Sequence, residues 1–294
     1  MKHSYLLAVL LALPVRAAEL AEPIPLPASV AFLTDFGTKD PAVGICKLAM
    51  AQVNPIVPVI DLSHQVTPFN VEQGANFLAA AVPHSPRGTV FVGVVDPGVG
   101  GERKSIAVKT KSGHFLVGPD NGLLAKAAEA LGVDKIVELT NAAYFRDPNV
   151  SSTFHGRDVY APVGAHLASG VPIEKLGPEL RDLKPLDVPK PSLENGTLSG
   201  RAVYNEDPFG SVLTDIPAAL VEKAGLKPGD VLEITLGGKT FRVPFHKTFS
   251  DVAEGAELAL IASRRVFSLS VNRGDFARRH AVVEGSPIVV RRAR

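Results

Sequence analysis

From residue 29 to residue 170 the chain alternates two patterns of apolar side chain. Short apolar or β-branched runs, "SVAFLT" (29–34), "IVPVIDL" (56–62), "TVFVGVV" (89–95), "SIAVKT" (105–110) and "HFLVG" (114–118), predict strands. Between and after them, 42–53, 71–82, 123–131 and 157–170 carry apolar residues at helical spacing, the last of these stopping at a glycine. Strands alternating with helices of this length predict an α/β domain built on a largely parallel or mixed sheet, placed at residues 25–180.

The pattern changes at residue 181. "RDLKPLDVPKPSLENG" (181–196) has prolines at 185, 189 and 191 and few large apolar side chains, so it reads as a linker. Beyond it, short runs separated by glycine-rich turns predict a smaller, mostly β domain over 197–294, with "LGGKT" as the turn of a hairpin. The first 17 residues differ from both parts: Lys2, an apolar run from Tyr5 to Val15, then Val15-Arg16-Ala17. This is the outline of a secretory signal peptide, so the mature chain is expected to begin near Ala18 and to be exported, to the periplasm or beyond. The run is too short to span a bilayer.

Composition narrows the chemistry. With 31 basic and 30 acidic residues the net charge is +1, which gives no field to attract nucleic acid or an anionic membrane. Cys46 is the only cysteine, so neither an intrachain disulfide nor a cysteine-based zinc site is available. Its place in a predicted helix suits a small buried hydrophobe. The eight histidines are scattered without metal-ligand spacing; His64 and His166 are expected to be structural, and no metal is predicted. There is no phosphate-binding loop, no completed G-x-G-x-x-G and no G-x-S-x-G elbow.

Polar clusters follow the strand-like runs: "TDFGTKD" (34–40), "DLSHQVTPFN" (61–70), "DPGVGGER" (96–103) and "PDNG" (119–122). In an open α/β sheet ligands bind at the carboxyl ends of strands, so these loops are candidates for one crevice. A further stretch, "STFHGRD" (152–158), sets His155 among charge and glycine.

The segments "TDFGTKD", "DPGVGGER", "GPDNGLL", "STFHGRDVYAP" and "DPFGSVLTDI", in this order and with these gaps, resemble the S-adenosyl-methionine hydroxide adenosyltransferase family, relatives of the fluorinating and chlorinating enzymes. The resemblance runs from about residue 29 to the C-terminus. It implies an N-terminal α/β domain, a smaller C-terminal β domain and a homotrimer with active sites between subunits. It further implies attack of water or hydroxide on C5′ of S-adenosyl-methionine, giving adenosine and methionine without a cofactor. By motif position the hydrolytic triad falls on Asp96, Arg103 and His155. Asp35 matches the aspartate that holds the ribose hydroxyls, and Asp40, Ser263 and Arg264 match positions that hold the methionine amine and carboxylate. Phe249 matches an aromatic stacked near adenine, while Phe69 and Phe154 match walls of the ribose and C5′ pocket. Ser211 stands where many relatives have an adenine-reading asparagine, the acidic residue before it is either Glu206 or Asp207, and "LTDI" replaces the commoner "LTNI".

These residue types suit the reaction. The sulfonium leaves as a neutral thioether and needs no general acid; the requirement is a polarised water behind C5′. Arg103 supplies a fixed positive charge, His155 either takes the proton or hydrogen-bonds the nucleophile, and Asp96 orients both. Two alternatives remain: transfer of a halide in place of hydroxide, against which Gly156 offers no hydroxyl, and a non-catalytic exported protein that binds adenosine or S-adenosyl-methionine.

Overall fold

The computed structural model describes residues 28–294; the expected signal peptide lies outside them. The first sheet contains β1 (Val30–Thr34), β2 (Val59–Ser63), β3 (Val90–Val94), β4 (Ser105–Thr110), β5 (Phe115–Pro119), β6 (Val133–Glu138) and β7 (Glu179–Leu180), in the order β2-β1-β3-β5-β4-β6-β7. The β2-β1-β3-β5 half is parallel, and β4, β6 and β7 extend it antiparallel, so the sheet is mixed.

Every residue of β1 and β3 is buried, which explains why these strands read as unbroken apolar runs: both faces are covered. Val30, Phe32 and Val92 pack with α1 (Ala42–Val53) and α4 (Ala161–Ala168) through Cys46, Met50 and Val163. Ala31, Leu33 and Phe91 face the opposite layer, α2 (Val71–Ala81) and α3 (Ala125–Leu131), through Leu78, Ala127 and Leu131. Strand β6, "VDKIVE", was not evident from the sequence because Asp134 and Lys135 interrupt its apolar run at the sheet's antiparallel side.

The second sheet is antiparallel, in the order β12-β11-β15-β9-β10-β14-β13. Its strands are β8 (Ser192–Glu194), β9 (Thr197–Glu206), β10 (Ser211–Pro217), β11 (Val231–Leu236), β12 (Lys239–Pro244), β13 (Glu257–Ile261), β14 (Val266–Val271) and β15 (Pro287–Arg292), with β8 hydrogen-bonded beside β9. Short helices α5 (Ala218–Lys223) and α6 (Phe276–His280) complete it. Residues 237–238 form the turn between β11 and β12, where Gly237 and Gly238 both take positive φ.

The two sheets meet through specific contacts. Arg201 on β9 reaches Glu72 on α2 with both terminal nitrogens, at 2.9 and 2.6 Å. Phe77 and Tyr204 meet edge to face at 4.9 Å between centroids. The proline-rich stretch between the sheets is tied down along its length: the Lys184 amide donates to Asp120 at 2.7 Å, and residues 192–194 form β8.

Candidate active site

Because β1, β2 and β3 run parallel, the loops that follow them open at one edge of the sheet. The loop after β3 is drawn against residues 152–155 at Gly100, whose φ is 76° and where a Cβ would lie 2.3 Å from the Ser152 carbonyl oxygen. Only glycine permits that approach. A cavity of about 260 Å³ forms where these loops meet, with Asp35, Phe69, Asp96, Phe154 and His155 in its walls. The "PDNG" loop stays outside it; Asn121 instead donates to the Val95 carbonyl at 2.9 Å and supports the β3 loop from behind.

Asp96, Arg103 and His155 form one hydrogen-bonded cluster. Arg103 Nε donates to Asp96 Oδ1 at 2.9 Å and its Nη2 to Asp96 Oδ2 at 2.5 Å, a two-pronged pair. The same Nη2 lies 2.8 Å from His155 Nδ1. The Asp96 side chain is 5% exposed and that of Arg103 11%. Burial disfavours the charged guanidinium, but the hydrogen bond to Asp96 together with the electrostatic pull of Tyr160 and Asp96 outweighs it, and the group is held more firmly protonated than usual. A guanidinium has donors only, so Nδ1 of His155 is the acceptor and the ring proton sits on Nε2. Burial, reinforced by the charge of Arg103, lowers the histidine pKa below its ordinary value, with Asp96 and Asp158 opposing.

The walls are set by local structure. Asp35, at the end of β1, accepts the Phe69 amide at 2.9 Å. Phe69 takes φ 67°, uncommon for a bulky residue, and its side chain stands 71% exposed at the cavity mouth. Phe154 meets Phe36 edge to face at 5.7 Å. Asp158 is fully buried and anchors the segment: it accepts from Arg146 Nε and Arg157 Nε, both at 2.7 Å, and from the Ser151 amide at 3.0 Å. Burial alone would raise its carboxyl, yet these bonds hold it well below the usual range.

The other expected substrate contacts lie elsewhere in the chain. Asp40 is exposed and accepts the Ala42 amide at 2.9 Å, at the start of α1 and outside the cavity walls. Glu206, Ser211 and Phe249 line a second cavity, about 720 Å³, on the C-terminal sheet; Asp207 is exposed and is not among its walls. Ser263 and Arg264, in the β13–β14 turn, face a third cavity between the two sheets, where Arg264 lies over the rings of Phe77 at 5.5 Å and Tyr204 at 5.4 Å. Of the other histidines noted, His64 is buried with Nδ1 2.9 Å from Thr34 Oγ1, and His166 meets Tyr144 edge to face. Three residues not singled out in the sequence surround the cluster: Asp158, Ser105 and Tyr160. The last two resemble ordinary strand and helix positions, and no local motif marks them.

The fold and the cluster together define a two-domain protein, α/β then antiparallel β, with a buried cation at the carboxyl ends of parallel strands. The chain belongs to the SAM hydroxide adenosyltransferase family: the family's N-terminal domain matches residues 30–177 and its C-terminal domain residues 201–289. It is 39% identical over 263 residues to a protein of Salinispora arenicola named (R)-S-adenosyl-L-methionine hydrolase, covering 89% of this chain and 97% of that one. It is 30% identical over 291 residues to a fluorinase of Actinoplanes, covering 90% and 97% respectively. A crystal structure of a conserved protein from Thermotoga maritima superposes with a TM-score of 0.86 at 40% identity, over 90% of this chain and all of that one.

Proposed function

We propose that the protein hydrolyses S-adenosyl-methionine, forming adenosine and methionine. The observation that carries this reading is Arg103 fixed between Asp96 and His155 beside a pocket walled by Phe69 and Phe154. Water attacks C5′, the C5′–S pair stays on sulfur, and the proton leaves to solvent. With Nδ1 occupied by Arg103, the histidine has no free ring lone pair with which to take that proton. His155 therefore acts through Nε2–H, holding the oxygen nucleophile, while Arg103 stabilises its developing hydroxide character. The sulfonium loses its charge as it leaves, which a pocket poor in water favours. No cofactor enters this scheme.

The same reading assigns Asp35 to the ribose, and Glu206, Ser211 and Phe249 to the adenine end, with Asp40, Ser263 and Arg264 on the methionine. Apart from Asp40, which is exposed at the start of α1, these groups occupy separate cavities of one chain. Exposed Phe69, and Phe249 at 41% exposure, edge two of those cavities. A homotrimer in which one subunit's N-terminal domain meets a neighbour's C-terminal domain would join the parts and cover both rings. Export through the N-terminal 17 residues belongs to the same proposal.

The test is to incubate purified protein with S-adenosyl-methionine, with and without chloride or fluoride, and separate the products. Adenosine and methionine in every buffer are expected. A 5′-halogenated adenosine would establish halide transfer instead, and tight binding without turnover would establish a binding protein.

A further inference from the structure

The cluster does not end at His155. Arg103 Nη1 donates to Ser105 Oγ at 3.2 Å, and Ser105 Oγ lies 3.0 Å from the Tyr160 hydroxyl. Tyr160 is fully buried, its ring 5.9 Å below the Arg103 guanidinium and 6.3 Å from the His155 ring. The four groups therefore form one open circuit of hydrogen bonds: Asp96 to Arg103, Arg103 to Ser105, and Ser105 to Tyr160.

A local irregularity makes the circuit possible. Gly156–Tyr160 form a π turn, with the Ala161 amide bonded to the Gly156 carbonyl, before the chain becomes α4. In an α-helix, residues five apart are separated by about 500°, roughly 140° round the axis, and face different ways. A π turn closes i to i+5 and stacks them instead. His155 and Tyr160 are five apart, and the widened turn presents both rings to Arg103.

We propose that Ser105 and Tyr160 are positioning residues for the hydrolytic reaction: together they fix the free end of the Arg103 guanidinium, so that its Nη2 stays on His155 Nδ1 and the histidine keeps its proton on Nε2. This rests on the hydrolase reading above. Neither residue touches the cavity walls, so neither is expected to contact substrate. Burial pushes the Tyr160 phenol far above its ordinary value and keeps it protonated, so its hydroxyl stays neutral beside Ser105. A merely structural Tyr160 would affect folding alone. A positioning Tyr160 changes turnover and changes His155.

The variants are Tyr160→Phe, Ser105→Ala and Ser105→Thr. The first two are expected to lower kcat by about tenfold each, with KM within about twofold, because Ser105→Ala removes a hydrogen bond to the charged Arg103 and Tyr160→Phe removes the hydroxyl that orients Ser105 toward it, both outside the binding surface. The double variant is expected to be no slower than the slower single one, since both cut the same circuit. Ser105→Thr, which keeps the hydroxyl, is expected to behave as the wild type. A second readout needs no substrate: nuclear magnetic resonance titration of His155, assigned by difference with His155→Gln. Freed from a fixed Arg103, and still facing Asp96, Asp158 and Tyr160, its pKa is expected to rise toward the ordinary histidine value in both Tyr160→Phe and Ser105→Ala. An unmoved His155 titration in the two folded variants overturns the proposal, whatever turnover does. Should the wild type fail to hydrolyse S-adenosyl-methionine, the hydrolase reading fails while the titration still decides this one.

Discussion

His155 is a histidine whose neighbour dictates its proton. Arg103 donates to Nδ1, and protonating the ring would set an Nδ1–H against that donor. The active form is the neutral ring, and burial with the Arg103 charge keeps its pKa below the usual value. The sign follows: kcat/KM stays level as pH falls through about 6.5, where an ordinary histidine titrates, and declines only below it. The measurement is a pH–rate profile from 4.5 to 8, and a decline centred at or above 7 would rule out the assignment. Asp96, Arg103 and His155 were singled out in the sequence by the order and spacing of glycine-containing polar segments that resemble the family, and the fold brings the three side chains into one cluster. Ser105 and Tyr160 were not, since a serine at a strand's start and a tyrosine on an apolar helix face carry no local mark. Their role exists only once two segments 55 residues apart are folded together.

At the scale of elements, the parallel strands were the easiest part to read. Double-sided burial leaves β1 and β3 no polar position to obscure the run. β6 escaped because its charged residues face solvent on the antiparallel side, and the 181–196 stretch read as a linker because its anchors are backbone contacts such as the Lys184 amide to Asp120. The site depends on how closely the elements pack. α4 comes so near β3 that a Cβ at Gly164 would lie 2.4 Å from Val92 Cγ2. Gly164→Val is expected to destabilise the domain by about 1–3 kcal/mol by overpacking. Because α4 continues the π turn, turnover is expected to fall with it. Chemical denaturation monitored by circular dichroism checks the first effect, and a variant as stable as the wild type would show that the helix can retreat without cost.

The whole molecule presents its parts to different sides. The hydrolytic cluster opens on the first sheet, and the cavity of Glu206, Ser211 and Phe249 opens on the second. In the proposed trimer each complete site borrows one face from each of two chains, and a ring of such contacts closes after three. His155→Ala and Phe249→Ala are each expected to abolish most activity alone. Mixed and reassembled, they are expected to regain part of it, because some sites then receive an intact face from each parent. Light scattering reports the assembly and product chromatography the activity. No recovery in demonstrably mixed trimers would assign the site to single chains.

The π turn has a hereditary meaning as well. It holds one residue more than the α turn it interrupts, so a single codon separates this arrangement from an unbroken helix. With one residue of the turn removed, Tyr160 would become the fourth residue after His155, about 40° round the axis of an unbroken α-helix, and the two rings would still share a face. One in-frame insertion or deletion thus converts either form of the turn into the other while His155 and Tyr160 keep a common face.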